Sequence, residues 1–190
     1  MRILKMKEET EMIMKKEFWN MGYIQVYTGN GKGKTTAAFG LAMRAAGAGL
    51  RVFIAQFVKG MRYSEIEAFE RFADLITVKQ YGRGCFIRNA PKEEDIRAAS
   101  VGLEEVQLAL CSGGYKVIIL DEANIATHFK LFSVENLLAL IDLKPQDVEL
   151  VITGRNVDPR VLERADLVTE MREVKHYYTR GVQARRGIES

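Results

Sequence analysis

A run of glycines and lysines near residue 30 has the composition of a phosphate-binding loop. The run reads Gly29, Asn30, Gly31, Lys32, Gly33, Lys34, Thr35 and Thr36. In such loops, backbone N–H groups surround phosphate oxygens, a lysine neutralises their charge, and the following hydroxyl ligates Mg²⁺. The closing half matches the consensus, whereas Thr28 stands where the consensus opens with glycine. We therefore predict a variant P-loop that binds a nucleoside triphosphate, against the alternative of a tight turn with chance lysines.

Two acidic residues are the predicted partners of this loop. Asp121 and Glu122 follow the continuous apolar stretch 116–120. Carboxylates at the carboxyl end of a buried strand reach the sheet edge beside a P-loop and hold Mg²⁺ directly or through water. The alternative is that Asp121 caps the next helix. The two roles can coexist, one for each residue.

A basic residue is expected at the same edge of the sheet. Arg155 follows a second apolar stretch, residues 148–153, after a single glycine. A guanidinium in this position would hold phosphate oxygens through charge-assisted hydrogen bonds. A structural ion pair is the competing interpretation of Arg155.

Apolar stretches and helical patterns alternate along the chain, which defines the fold class. Continuous apolar strands separated by helices indicate a mostly parallel sheet that helices cover on both faces. We predict an α/β, P-loop NTPase-like (RecA-like) fold, with residues 1–21 as an N-terminal helical arm and residues 22–190 as a single P-loop α/β domain. The predicted strands are residues 23–27, 51–58, 75–81, 116–120 and 148–153, and a loop is expected at residues 82–91.

Composition narrows the partners and the compartment. The chain has 190 residues and a formal net charge of +3, so charge gives no argument for a nucleic-acid or membrane partner. No apolar run approaches the roughly 18 residues of a membrane span, and residues 1–20 lack the apolar core of a signal peptide. Cys85 and Cys111 are expected to be free thiols in a reducing compartment. We predict a cytoplasmic protein without nucleic-acid or membrane partners.

Five short segments together resemble a known family, the ATP:corrinoid adenosyltransferases. Their order and spacing match from about residue 22 to the end of the chain, and the P-loop of that family also lacks the opening glycine. The absence of a guanine-reading Asn-Lys-x-Asp motif also favours ATP over GTP. The matching segments are residues 27–40, 56–60, 120–122 and 152–155, and residues 174–176 together with 187–189.

The resemblance implies a reaction in which a Co(I) corrinoid attacks C5′ of ATP and inorganic triphosphate leaves. ATP is then held in reverse, with its γ-phosphate where most P-loops hold the α-phosphate. Cobalt supplies the nucleophile, so no general base is needed, and His128 and His176 are interpreted as structural. The family also implies a homodimer and an electron-donating flavoprotein partner.

Carried over by resemblance, the site residues fall into three groups. Lys34, Glu122 and Arg155 are the expected catalytic residues. Thr35 and Glu122 are the expected Mg²⁺ ligands, with Asp121 in a supporting position behind them. ATP is expected to contact Gly29, Asn30, Gly31, Lys32, Gly33, Lys34, Thr35, Thr36 and Arg155.

The corrinoid side departs from the family pattern. Cys85 and Ile87 stand where relatives have a phenylalanine and a tryptophan that face the corrinoid. We expect Phe86 to take over part of the apolar contact; contact of Cys85 with cobalt is an alternative. Trp19, at the end of the arm, is expected to cover the corrinoid, against the alternative of a frayed terminus or a dimer contact.

Two other functions remain open from the sequence. A conventional ATPase, with Glu122 activating water, would form ADP and phosphate. A non-catalytic module would bind ATP tightly to dock a partner and would show no turnover.

Overall fold

Six strands form one parallel sheet in the computed structural model, which describes residues 19–84 and 90–189. The strand order is β3-β2-β4-β5-β1-β6, and every neighbouring pair is parallel. The predicted α/β class with a parallel sheet is confirmed. The strands are β1 (Ile24–Thr28), β2 (Val52–Lys59), β3 (Ile76–Gly84), β4 (Val117–Asp121), β5 (Glu149–Thr153) and β6 (Leu167–Glu170).

Helices cover both faces of the sheet. Side chains alternate along β2, so that Val52 and Ile54 pack against α1 while Phe53 and Phe57 face the opposite layer, which contains α3 to α6. This alternation within an almost fully buried strand explains why β2 reads as a continuous apolar run. The described α-helices are α1 (Lys34–Gly47), α2 (Ser64–Phe69), α3 (Glu93–Cys111), α4 (Ala123–His128), α5 (Val134–Asp142) and α6 (Pro159–Arg164).

The topology brings the carboxyl ends of three functional strands together. Strand β5 lies between β1, which leads into the P-loop, and β4, which ends at Asp121. Thr153, the last residue of β5, therefore lies between the loop and the acidic pair. Strand β3 extends to Gly84, beyond the predicted boundary, because the Gly60 N–H still donates a hydrogen bond to the Gly84 carbonyl at 2.8 Å.

Some expectations fall on residues outside the described ranges. Of the predicted arm, only residues 19–21 are described, so the arm and the division at residue 21 stay predictions. Of the two predicted thiols, Cys111 is a free cysteine, and Cys85 lies outside the described residues. In the described part of the chain, every helix is too short or too polar to cross a membrane.

Candidate functional site

The P-loop turns sharply between β1 and α1 at two glycines. Gly29 and Gly33 have φ angles of 92° and 119°, a region that side chains with a Cβ rarely adopt. Gly33 also directly precedes α1, whose start has no side-chain cap. The first N–H groups of α1 have no acceptor within the helix, and the helix dipole adds positive potential there. The loop and helix together form the donor-lined cradle that a triphosphate requires.

The loop packs directly against the segment that follows β6. The Gly31 N–H donates to the Met171 carbonyl at 2.6 Å, so this amide is already paired. A Cβ on Gly29 would lie 2.5 Å from the Met171 carbonyl oxygen, and one on Gly31 would lie 2.7 Å from it. Both glycines are therefore required by close backbone approach. The outer side of the loop is fixed by the C-terminal part of the chain.

Lys34 lies across the loop. Its Nζ donates hydrogen bonds to the carbonyls of Gly29 at 2.7 Å and Gly31 at 2.8 Å. Burial, followed by the nearby positive charge of Arg155, lowers the pKa of Lys34. A buried ammonium held only by neutral carbonyls is a strong site for an anion, because phosphate oxygens would supply the missing negative charge.

Asp121 is fully buried and is the centre of a hydrogen-bond network. Its Oδ1 accepts from the hydroxyls of Thr35 at 2.8 Å and Thr153 at 2.7 Å, and its Oδ2 accepts from the Gln56 amide at 2.9 Å. Asp121 thus fixes the position of the Thr35 hydroxyl. The alternative that Asp121 caps the next helix is wrong, because Glu122 is the residue directly before α4 and the start of α4 receives no side-chain cap.

Glu122 is held in an uncommon backbone conformation beside Asp121. Its φ is 59°, and its N–H donates to the Thr153 hydroxyl at 3.0 Å. Burial raises the pKa of Glu122, and the negative charge of Asp121 raises it further. Glu122 lines the cleft and Asp121 is buried directly behind it, and two adjacent carboxylates favour a cation beside them.

Arg155 follows β5 and is exposed on the wall of the same cleft. Within the described ranges Arg155 forms no ion pair with a carboxylate. The alternative that Arg155 belongs to a structural ion pair therefore has no support among these residues. Its guanidinium is close enough to Lys34 to depress the pKa of that lysine. Two cations that repel each other across a cleft are stabilised by a polyanion between them.

The C-terminal segment closes over the P-loop. Lys32 Nζ donates to the Ile188 carbonyl at 2.7 Å and contacts Glu189 at 3.1 Å. Glu189 also accepts a hydrogen bond from the Tyr177 hydroxyl and forms an ion pair with Arg185 at 3.2 Å. The hydrogen bonds from Arg185 and then Tyr177 hold the pKa of Glu189 well below its usual range. Glu189 therefore stays ionised and connects the end of the chain to the loop.

Replacing Glu189 with glutamine should raise the KM for ATP by about fivefold while kcat changes little. The substitution weakens a partly exposed set of ionic contacts that orient Lys32 and the segment over the loop, so the effect is modest. Steady-state kinetics at varied ATP would measure it. Glu135→Gln, which breaks an exposed pair with Arg160 outside the cleft, is the matched control. An unchanged KM in Glu189→Gln would show that these contacts do not shape the ATP site.

Most of the P-loop, Glu122, Arg155 and part of the C-terminal segment line one cleft with a volume of about 1050 Å³. The cleft is large enough for a nucleoside triphosphate with part of a second substrate. Trp19 is 39% exposed and is not among the lining residues. The lining includes Gly31, Lys32, Gly33, Lys34, Thr35, Thr36, Lys59, Glu122, Arg155, His176 and Glu189.

Comparison with known protein families matches residues 20–190 to the family described as ATP:corrinoid adenosyltransferase BtuR/CobO/CobP. The chain belongs to this family. A corrinoid adenosyltransferase of Pseudomonas aeruginosa is 36% identical over 169 residues, covering 88% of this chain and 83% of the relative. A corrinoid adenosyltransferase of Sinorhizobium sp is 33% identical and covers 100% of this chain and 90% of the relative. A third, from Escherichia coli K12, is 35% identical over 88% and 85% of the two chains.

The structure brings most predicted site residues of this enzyme together. The P-loop, Asp121, Glu122 and Arg155 meet at one edge of the sheet, as the positions of their strands predicted. Cys85, Phe86 and Ile87 lie outside the described residues. The sequence analysis gave no role to Gln56 or Lys59, although both belong to the matching segment 56–60. A polar or charged residue in an otherwise apolar strand is the sequence feature that could have identified them.

The oxygen atoms of the site fit Mg²⁺. Thr35, Asp121 and Glu122 offer hydroxyl and carboxylate oxygens, which Mg²⁺ prefers. The described residues contain no group of three or more His, Cys, Asp or Glu side chains placed to hold a metal without other ligands. Mg²⁺ is commonly bound by one or two carboxylates, with phosphate oxygens and water completing its shell. The donor set therefore suits a metal that binds with a nucleotide.

Proposed function

We propose that this enzyme transfers the 5′-deoxyadenosyl group of ATP to the Co(I) centre of a corrinoid and releases inorganic triphosphate. The observation that supports this proposal is the convergence of Lys34, Arg155 and Glu122 on one P-loop cleft, in a member of this family. In this proposal the polyphosphate binds between Lys34 and Arg155, and the rest of the cleft holds the remainder of the nucleotide.

In the proposed reaction the electron pair of Co(I) forms a bond to C5′ of ATP. The C5′–O bond breaks, its electron pair leaves with the oxygen, and cobalt becomes formally Co(III). Negative charge therefore develops on the departing triphosphate. Because cobalt is the nucleophile, the protein needs no base to remove a proton, and its task is to bind and stabilise the leaving group.

The proposed roles follow from this charge change. The loop amides, Lys34 and Arg155 donate to the triphosphate, and such fixed donors are most effective where charge increases in the transition state. Thr35 and Glu122 would hold Mg²⁺, and Asp121 would position the Thr35 hydroxyl. When bound, Mg²⁺ would neutralise part of the triphosphate charge and fix its geometry.

We extend the family resemblance to the partners of this enzyme. We propose a homodimer, an electron-donating flavoprotein as the source of Co(I), and a cytoplasmic location, since Co(I) requires reducing conditions. Phe86, Cys85, Ile87 and Trp19 remain the proposed corrinoid contacts. Light scattering of the purified protein would test the dimer, and Trp19→Ala would test the arm through the KM for the corrinoid.

An anaerobic assay tests the proposed function. The enzyme is mixed with ATP, Mg²⁺ and a chemically reduced cobalamin, and the absorbance spectrum is followed as the Co(I) bands disappear. We expect formation of a light-sensitive cobalt–carbon bond. Release of ADP without such a bond would instead establish the conventional ATPase. Tight ATP binding without any turnover would establish the non-catalytic module.

A further inference from the structure

Lys59 occupies the point where three oxygen-bearing side chains converge. Its Nζ lies 3.0 Å from the Thr35 hydroxyl, 3.3 Å from Asp121 Oδ2 and 3.6 Å from Glu122 Oε1. The Lys59 side chain is 14% exposed and the Asp121 side chain is fully buried. The ammonium therefore lies against two carboxylates in a largely buried position, where opposite charges stabilise each other.

The end of β2 is distorted in a way that aims Lys59 into the cleft. Val58, which precedes it, has a φ of 68°, an unfavourable conformation for a β-branched residue. The pairing of β2 with β3 shifts register between Phe57 and Lys59. Such bulges redirect a side chain at the end of a strand. Because backbone strain persists mainly where the surrounding structure requires it, this strain indicates that the position of Lys59 has a functional role.

Two glycines permit this bulge. A Cβ on Gly60 would lie 2.2 Å from the Gly82 carbonyl oxygen, and a Cβ on Gly82 would lie 2.3 Å from the Val58 carbonyl carbon. The backbones of β2 and β3 therefore approach closely just where Lys59 turns inward. No larger residue fits either position without moving the strands apart.

Two of the three oxygen atoms around Lys59 belong to Thr35 and Glu122, the side chains proposed to hold Mg²⁺, and the third belongs to Asp121, which positions the Thr35 hydroxyl. An ammonium within 3.6 Å of these oxygens and a divalent cation bound to Thr35 and Glu122 exclude each other by charge and by space. Metal binding thus requires Lys59 to move. In the absence of nucleotide, Mg²⁺ would have to displace this ammonium with few protein ligands in return. A bound triphosphate makes displacement of Lys59 by the metal more favourable, because its oxygens add ligands for the metal and offer the ammonium a new partner.

We propose that Lys59 is an internal counter-ion that keeps the divalent cation out of the site until ATP arrives, so that metal and nucleotide bind together. This inference rests on the proposed assignment of Thr35 and Glu122 as metal ligands. Before ATP binds, Lys59 also keeps Asp121 and Glu122 from repelling each other and holds the Thr35 hydroxyl in place.

Binding of Mn²⁺ to the full-length protein without nucleotide tests the proposal. Free Mn²⁺ is measured by electron paramagnetic resonance for the unmodified protein, Lys59→Met and Lys59→Arg. Removing the like charge should make Lys59→Met bind Mn²⁺ about tenfold more tightly or better. Lys59→Arg, which keeps the charge, should bind as weakly as the unmodified protein. Lys79→Met, which removes a charge paired with Glu105 outside the cleft, should leave the Mn²⁺ affinity unchanged.

Thermal unfolding gives a second, independent readout. Without divalent cations, Lys59→Met should unfold at a lower temperature, because Asp121 and Glu122 lose their counter-ion. Added Mn²⁺ should stabilise Lys59→Met more than the unmodified protein. If Lys59→Met is too unstable to purify, Lys59→Gln takes its place in both measurements.

Equal Mn²⁺ affinities for Lys59→Met and the unmodified protein would overturn the counter-ion role. A separate titration with ATP present distinguishes this outcome from an error in the metal assignment. If Glu122→Gln weakens Mn²⁺–ATP binding, the assignment of Glu122 as a metal ligand is supported and only the counter-ion role of Lys59 is wrong. If Glu122→Gln binds Mn²⁺–ATP normally, the proposed metal ligands themselves are wrong.

Discussion

Replacing Lys34 with alanine should lower kcat/KM for ATP by about a thousandfold. The Lys34 ammonium is buried and bridges two loop carbonyls, so it is already placed where triphosphate oxygens would enter. Removing one fixed donor from a site of developing negative charge typically costs about 10²- to 10³-fold in rate. In the proposed function Lys34 also neutralises charge on bound ATP, so we expect the KM for ATP to rise as well.

The anaerobic spectroscopic assay at several ATP concentrations would measure both parameters. Lys79→Ala, which removes a lysine paired with Glu105 on the outside of β3, is the matched control and should retain normal activity. Circular dichroism would establish that both variants are folded. Activity of Lys34→Ala within a few-fold of the control would contradict the role of the loop in stabilising the leaving group.

Replacing Glu122 with glutamine should lower kcat at least about a hundredfold and raise the Mg²⁺ concentration needed for half-maximal rate. Losses of up to about a hundredfold are common even for groups that only orient a metal ligand. The substitution keeps the size of the side chain and removes one of two adjacent negative charges. The folded protein should therefore be at least as stable as before, which separates loss of function from loss of fold.

Rates of adenosyl transfer at varied Mg²⁺, together with thermal unfolding, would test the Glu122 prediction. Glu105→Gln removes a carboxylate outside the cleft that contacts Lys79 and Tyr81, and it serves as the control. An unchanged Mg²⁺ requirement in Glu122→Gln would exclude this residue as a metal ligand.

Much of the fold was predictable because the sheet is buried on both faces. Strands β2 and β4 are almost entirely buried, so they appear in the sequence as uninterrupted apolar runs. The short edge strand β6 is exposed along its whole length, so its sequence lacks the continuous apolar run that identifies the buried strands. The end of β3 was placed too early, because its last residues pair with β2 through backbone groups at a bulge that no side-chain pattern reveals.

The positions of the candidate site residues were predictable where they belong to short local motifs. The P-loop, the acidic pair and Arg155 each follow a strand, and the parallel topology brings those strand ends together. The contacts of Glu189 with Lys32 join residues 157 positions apart, so no local pattern could reveal them. Lys59 depends on the left-handed conformation of Val58, which its residue type disfavours rather than predicts.

The central claim is that the P-loop holds triphosphate as a leaving group, and the fate of one oxygen atom tests it directly. ATP labelled with ¹⁸O in the bridge between C5′ and the α-phosphorus is converted anaerobically with reduced cobalamin, and the phosphate products are analysed by mass spectrometry. Cleavage of the C5′–O bond would place the label in intact inorganic triphosphate, in equal amount to the adenosylated corrinoid. Recovery of ADP and phosphate, or of triphosphate without the label, would contradict the account.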